Sequence, residues 1–152
     1  MASRTKPLMM SDKTALYLSL GSNLGDRESN LRRALSLLEE RLGAPPAAVS
    51  SFHETEPWGF ESRNAFLNAC ARFDLSLPET RPAAREVLRV CKEIEKGMGR
   101  IQRRPGGNYE DRIIDIDILT FGTLRMRTKT LTIPHPLMQE RAFVQIPLRE
   151  IL

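Results

Sequence analysis

The strongest constraint on the fold is the run Asp111–Leu119, in which isoleucines alternate with two carboxylates. This period of two predicts a β-strand with the isoleucines at 114, 116 and 118 on one face and Asp115 and Asp117 on the other. Side chains two apart on a strand lie roughly 6 to 7 Å apart, so the carboxylates repel each other unless a cation or an arginine lies between them. We therefore expect this strand to carry a functional site.

A carboxylate pair of this kind suits Mg²⁺, which binds one or two carboxylates and completes its coordination with water and substrate phosphates. Arginines precede the pair in a segment that contains Pro105-Gly106-Gly107, namely Arg100, Arg103, Arg104 and Arg112. A basic loop beside an acidic pair predicts polyphosphate binding. The run Asp111–Leu119 alone is equally compatible with an edge strand that exposes a charged face, and the arginines favour the phosphate interpretation.

Length and composition predict one domain with a substantial core. The chain has 152 residues, of which 41% are hydrophobic and 28% charged. We expect a flexible tail over residues 1–13 and a single domain over residues 14–152. The formal charge of +4 is spread along the chain, which favours an anionic small molecule over nucleic acid as the partner.

The sequence also bears on cysteine chemistry and location. Cys70 and Cys91 lack CxxC spacing and lie in apolar segments, so we interpret them as core residues and not as a disulfide. Residues 1–13 contain no apolar run long enough for a signal peptide, and no segment approaches the roughly 20 apolar residues of a membrane span. We expect a cytoplasmic protein with no membrane partner.

Hydrophobic periodicity outlines the remaining elements. Strands are predicted at 16–20, 49–54 and 66–75, helices from the N-cap Asp26 to Gly43 and from Thr80 to Lys96, a short last strand at 131–136, and a short helical turn followed by a closing segment over 138–152. With the aspartate strand, the order is strand, helix, strand, strand, helix, strand. This split β-α-β order predicts an α+β fold, a ferredoxin-like sandwich with a central antiparallel sheet and a short C-terminal extension.

Several isolated polar residues allow two interpretations. Asn68 could donate to and accept from a heterocycle, or be a polar residue at the sheet surface. His135 stands between two prolines, a rigid frame that suits a fixed hydrogen bond to a ligand, although a lone histidine is more often structural. Glu95 lies in the last turn of its helix, where a carboxylate opposes the helix dipole, and this favours a specific role. The turn Gly21–Asp26 lacks P-loop spacing, so we favour a structural role for it.

With these residues identified, the chain resembles the 6-hydroxymethyl-7,8-dihydropterin pyrophosphokinases of folate biosynthesis. The matching blocks occur in the family's order from about Ala15 to the C-terminus: Gly21–Gly25, Thr55–Gly59, Phe66–Ala69, Gly99-Arg100, Asp111–Leu119 and Pro134–Pro136. The resemblance implies transfer of the terminal pyrophosphoryl group of ATP to the pterin hydroxymethyl group, with release of AMP and with two Mg²⁺ ions. We expect a monomer with these substrates as its partners.

The resemblance also implies roles for individual residues. Asp115 and Asp117 resemble the family's metal ligands, and Arg100 and Arg112, with both aspartates, its catalytic residues. The implied contacts of the nucleotide are Glu95, Arg100, Arg112, Ile118, Thr132, His135 and Arg141. The implied contacts of the pterin, whose ring would lie between Tyr109 and Phe143, are Thr55, Pro57, Trp58, Phe66, Asn68, Tyr109, Asp115 and Phe143.

Two other classes of function fit part of the pattern. A nucleotidyltransferase would use paired aspartates in the same way, but it would release pyrophosphate where a pyrophosphokinase releases AMP. A nucleic-acid-binding module could use a ferredoxin-like sheet that displays aromatic residues on a central strand. Here the strand displays Asp115 and Asp117, which repel a phosphate backbone.

Overall fold

A central antiparallel sheet organises the fold in the computed structural model, which describes residues 13–55, 65–99 and 113–152. The elements are β1 (Thr14–Ser22), α1 (Arg27–Leu42), β2 (Ala48–Val49), β3 (His53–Thr55), β4 (Phe66–Leu75), α2 (Arg81–Gly97), β5 (Asp115–Phe121), β6 (Met126–Arg127), β7 (Thr132–Ile133) and α3 (Ala142–Ile151). The sheet order is β2-β4-β1-β5, with β3 also paired to β4, and β6 pairs with β7. This arrangement, with α1 and α2 packed on the sheet, confirms the predicted ferredoxin-like α+β fold.

Strand β1 is central because its alternate leucines bury against both neighbours. Leu18 lies opposite Ala71 of β4 and Ile118 of β5, and the β1 leucines at 16, 18 and 20 are at most 1% exposed. Their side chains and those of the β5 isoleucines form the inner face of the sheet. Full burial of each such side chain contributes about 1.5–3 kcal/mol.

The helices α1 and α2 cover this inner face, and both begin at side-chain caps. Asp26 accepts from the Ser29 backbone N–H, and Thr80 accepts from that of Ala83. Helix α1 ends at Gly43, which has φ +75°, a conformation that glycine adopts without strain. Both predicted helices are confirmed.

The strand predicted at 49–54 is wrong as a single element. It forms β2 and β3, which both pair with β4 but in registers that differ by one residue, since Val49 faces Ala71 and His53 faces Asn68. At the break, the Ser50 hydroxyl accepts from the Cys70 backbone N–H at 2.9 Å. A side-chain oxygen thus takes the place of a ladder carbonyl, which propensity along the chain does not reveal.

The C-terminal segment is also more regular than predicted. Residues 142–151 form the helix α3, although Pro147 lies inside it. The helix packs on the face of the sheet opposite α1 and α2, in a cluster formed by Cys70, Leu119, Met138, Val144, Leu148 and Ile151. Burial of this stripe outweighs the hydrogen bond that proline removes.

The described residues test the predictions for the two cysteines and for membrane-spanning helices, but not the prediction for most of the N-terminal tail. Cys70 and Cys91 are both fully buried, as predicted for core residues. Burial raises the pKa of each thiol to about 12, so both stay protonated. Within the described ranges, no helix is both long and apolar enough to cross a membrane. Of the predicted tail, residues 1–12 lie outside the described residues.

Candidate active site

The candidate site lies on the sheet face that carries α3, where three strands place small and polar residues side by side. In the strand register, Gly21 of β1 faces Asn68 of β4 on one side and Asp115 of β5 on the other. Neighbouring strands are about 4.8 Å apart, so the backbones of Asn68 and Asp115 are roughly 10 Å apart. One row further along, Ser19 lies between Cys70 and Asp117.

Gly21 leaves the surface between the Asn68 and Asp115 side chains without a side chain of its own, and we call this surface the Gly21 floor. A Cβ atom at this position would lie 2.9 Å from Asn68 Oδ1 and 3.4 Å from the Phe66 ring. The first distance is shorter than a relaxed contact allows, so any larger residue would displace the amide. The sequence interpretation assigned Gly21 only to a turn. The signal that would have found it is the placement of Ser19 and Gly21, both small, on the face opposite the β1 leucines.

The two aspartates occupy the face that the alternation predicts. The isoleucines at 114, 116 and 118 are at most 4% exposed on the core side, whereas Asp115 and Asp117 are partly exposed on the other side. The pKa of Asp117 is raised to about 7, by burial first and by the Asp115 charge next, while the Arg141 charge opposes the shift. The raised pKa of Asp117 reflects its burial and the closeness of two carboxylates on one partly buried face of β5.

The donor set of this pair fits a divalent hard cation. Two carboxylates side by side supply the oxygen ligands that Mg²⁺ takes from protein, and a bound cation would relieve their repulsion. Within residues 13–55, 65–99 and 113–152, no group of three or more His, Cys, Asp or Glu side chains is arranged to hold a metal ion. Asp115 and Asp117 are therefore the described residues that fit such an ion, with other ligands coming from water and substrate.

Glu95 supports β5 from the end of α2. Its carboxylate is 1% exposed, and Oε2 accepts from the Ile116 backbone N–H at 2.8 Å. Ile116 lies between the two aspartates, so this bond holds the strand at the midpoint of the candidate metal site. The structure thus places Glu95 behind β5, in a buried position.

Asn68 and Thr55, two predicted pterin contacts, lie together. Asn68 is 3% exposed, and its Nδ2 donates to Thr55 Oγ1 at 2.5 Å. Asn68 thus lies on the sheet face but is buried there and not exposed to solvent. The bond to Thr55 fixes the amide orientation beside the Gly21 floor, so that the amide can present a defined set of polar atoms.

His135 is held beside β5 by hydrogen bonds at two atoms. Its backbone N–H donates to the Leu119 carbonyl at 2.9 Å, and its ring Nδ1 accepts from the Leu137 N–H at 3.1 Å. Burial, and next the Arg141 charge, lower the pKa of the ring, while the Asp115 charge opposes them. A neutral ring that accepts at Nδ1 carries its proton on Nε2, which makes Nε2 a donor.

The beginning of α3 brings a cation and an aromatic ring to the same region. The Arg141 guanidinium lies over the Phe143 ring, 5.4 Å from its centroid. The same guanidinium acts on the pKa values of both Asp117 and His135. Arg141 therefore contributes positive charge to the acidic end of the site, and the cation–π contact orients it.

The other predicted residues divide into three groups. Phe66 begins β4 beside Gly21, and Thr132 lies in β7. The Ile118 side chain belongs to the core, so a nucleotide contact at this residue would use its backbone. Five predicted residues lie outside the described residues: Pro57, Trp58, Arg100, Tyr109 and Arg112.

Fold and site together define a ferredoxin-like α+β domain with a carboxylate pair suited to a divalent cation on one sheet face. The family of 7,8-dihydro-6-hydroxymethylpterin-pyrophosphokinases matches residues 17–152. The chain belongs to this family, which confirms the resemblance inferred from its sequence blocks.

Relatives of known name agree with this assignment. Three are called 2-amino-4-hydroxy-6-hydroxymethyldihydropteridine pyrophosphokinase. The protein from Porphyromonas gingivalis is 45% identical over 137 residues, covering 90% of this chain and 89% of the relative. The protein from Bacillus subtilis is 40% identical, covering 89% and 76%. The protein from Aquifex aeolicus is also 40% identical, covering 90% and 79%.

Proposed function

We propose that the protein transfers the terminal pyrophosphoryl group of ATP to the hydroxymethyl oxygen of 6-hydroxymethyl-7,8-dihydropterin and releases AMP, as a step of folate biosynthesis. The observation that carries the proposal is the row Asn68, Gly21 and Asp115. It puts an oriented amide, suited to a heterocycle, across a bare floor from a carboxylate suited to a metal-bound phosphate. The two substrates would therefore meet above Gly21.

Asp115 and Asp117 are proposed to hold two Mg²⁺ ions. Bound there, the ions would neutralise the charge of the ATP phosphates while the β-phosphoryl group is attacked in line. The task of the chain is then to position both substrates and to exclude water, and the reaction needs no nucleophilic side chain. Arg100 and Arg112 are proposed as the catalytic arginines that contact the phosphates.

The pterin is proposed to bind with its rim at Asn68 and its ring against Phe143. A pterin is flat, with apolar faces and a rim rich in donors and acceptors, so it needs both kinds of contact. Thr55 contributes by holding the Asn68 amide, and Asp115, which lies on the other side of Gly21, is proposed to lie near the hydroxymethyl group of the bound pterin. The proposed pocket is completed by Phe66, Pro57, Trp58 and Tyr109.

The nucleotide is proposed to lie along the β5 edge near the beginning of α3. His135 would donate from Nε2, Arg141 would contact phosphate, and Thr132 and the Ile118 backbone would complete the contacts. The bond from His135 to the Leu119 carbonyl holds that segment against β5. We further propose that the domain spans residues 14–152, acts as a monomer and works in the cytoplasm.

The test is product analysis. The protein is mixed with ATP, Mg²⁺ and 6-hydroxymethyl-7,8-dihydropterin, and AMP and the pterin diphosphate are measured by chromatography, with Asp117→Asn as the matched inactive control. Equal amounts of AMP and pterin diphosphate are expected. Release of pyrophosphate with AMP attached to the acceptor would refute the proposal and indicate a nucleotidyltransferase.

A further inference from the structure

Strand β5 needs support on the side away from β1. In the part of the chain that the structure describes, β5 has β1 as its one sheet partner. Along the other side, His135 donates to the Leu119 carbonyl, which holds the far half of the strand. The half that carries Asp115 and Asp117 is held at the Ile116 N–H by the Glu95 carboxylate.

This contact is a strong one in a buried place. The donor residue Ile116 is 2% exposed and Glu95 is 1% exposed, so water does not replace the bond. A backbone N–H left unsatisfied at such a position costs about 1–3 kcal/mol, and a bond to a charged acceptor is roughly twice as strong as a neutral one. Loss of the bond would free the backbone between the two aspartates.

A carboxylate at position 95 is energetically unfavourable for two reasons. It lies in the last turn of α2, where the helix dipole disfavours a carboxylate, and its charge is close enough to raise the pKa of Asp117. The nearby cation, Lys92, has its Nζ 3.6 Å from Oε1 on a side chain that is 58% exposed, so it offsets little of this cost. A buried carboxylate in this position, bonded to the backbone between Asp115 and Asp117, points to a role at the site.

We propose that Glu95 is a positioning residue, whose bond to the Ile116 N–H sets the spacing and direction of Asp115 and Asp117 before the metal binds. Glu95 reaches β5 at the Ile116 N–H from helix α2, which covers the core face, whereas Asp115 and Asp117 lie on the opposite face, so we do not propose it as a third ligand. It acts on the metal through β5. The proposal rests on the proposed function for the identity of the ion but not for the contact itself.

Two conservative variants of Glu95 separate the effect of the position of its oxygen from the effect of its charge. Glu95→Gln keeps an oxygen at the same distance and loses the charge, whereas Glu95→Asp keeps the charge and withdraws the oxygen from Ile116. Lys92→Met is the matched control, because it changes the partner charge and leaves the bond to Ile116 in place. Each variant is compared with the wild-type protein by Mn²⁺ titration in electron paramagnetic resonance, with and without a non-hydrolysable ATP analogue, and by hydrogen exchange of the Ile116 amide.

Positioning predicts that Glu95→Asp weakens Mn²⁺ binding by about 10–100-fold, the usual effect of losing a group that orients metal ligands. The Ile116 amide of this variant should exchange faster by a similar factor. Glu95→Gln keeps a weaker, neutral bond to the Ile116 N–H, so it should fall between Glu95→Asp and the wild-type protein in both measurements, whereas Lys92→Met should stay close to the wild-type protein. In turnover assays kcat should follow the same order, with the pterin KM little changed.

The opposite order would overturn the proposal. If Glu95→Gln weakens Mn²⁺ binding while Glu95→Asp does not, the charge acts directly and Ile116 is not involved. Equal Mn²⁺ binding in all variants would likewise overturn it. Failure of the proposed function is distinguishable, because it would remove pterin turnover from the wild-type protein while the order of Mn²⁺ affinities and of Ile116 exchange rates remained.

Discussion

The two faces of strand β5 differ in almost every physical respect, although their residues alternate along the same short run. The face turned to α1 and α2 holds isoleucines that are almost fully buried. The opposite face holds Asp115 and Asp117, where burial, and next the Asp115 charge, raise the pKa of Asp117. The isoleucine face stabilises the fold, whereas the aspartate face destabilises it and carries the candidate active site. The difference shows that neighbouring residues of one strand can have separate roles, one in the stability of the fold and the other in the candidate site.

The largest expected effect is on the acidic face. Asp115→Asn and Asp117→Asn should each lower turnover by about 10³-fold or more, because several kcal/mol of charge stabilisation by the metal would be lost. The fold should stay nearly intact, since the volume is unchanged. Steady-state AMP production in Mg²⁺, together with circular dichroism, makes the measurement. Near-normal turnover by either variant would refute the metal assignment.

On the core face the effect should fall on stability. Leu18→Ala removes a fully buried side chain of β1 that lies opposite β5, and it should lower the free energy of unfolding by about 2–5 kcal/mol. Turnover per folded molecule should change little, because the site lies on the other face. Urea unfolding gives the stability, and assays far below the midpoint give the activity. A large loss of kcat without loss of stability would break the separation of the faces.

The pKa of Asp117 predicts how pH acts on the acidic face. Its pKa is raised from the ordinary aspartate value of 3.8 to about 7, so between these values the folded protein binds more protons than the unfolded chain, and stability is lost as pH rises. In metal-free protein, Asp117→Asn should therefore be stabilising, by more at pH 8 than at pH 5, with a difference on the order of a few kcal/mol. Urea midpoints at both pH values test this. An equal gain at both would contradict the assigned pKa.

A smaller effect is expected at the floor between the two substrates. Gly21→Ala puts a Cβ 2.9 Å from Asn68 Oδ1, and relief of such overpacking typically costs 1–3 kcal/mol. We expect the pterin Kd to rise about 10-fold with a smaller change in the ATP Kd, which calorimetric titration of each substrate can verify. Gly97→Ala is a suitable control, because a Cβ there meets no atom within 4 Å. Equal effects of the two variants would remove Gly21 from the site.

Much of this protein follows from local periodicity in the sequence. The alternation in Asp111–Leu119 predicted which face of β5 is acidic, and caps such as Asp26 and Thr80 predicted where the helices begin. These features depend on neighbours along the chain, and their physics is the geometry of one strand or one helix. The order of elements then limited the fold to a ferredoxin-like sheet, and the sequence blocks indicated the family.

Tertiary structure decided what depends on register and on burial between distant segments. Gly21 lies between Asn68 and Asp115 because β4 and β5 pair on either side of β1. Glu95 bonds to the Ile116 N–H because α2 packs against the sheet. The break at Ser50 and the length of α3 likewise arose from contacts with β4 and its neighbours. No short-range pattern encodes these pairings, because shifting a strand by one residue reverses its faces and leaves the sequence unchanged.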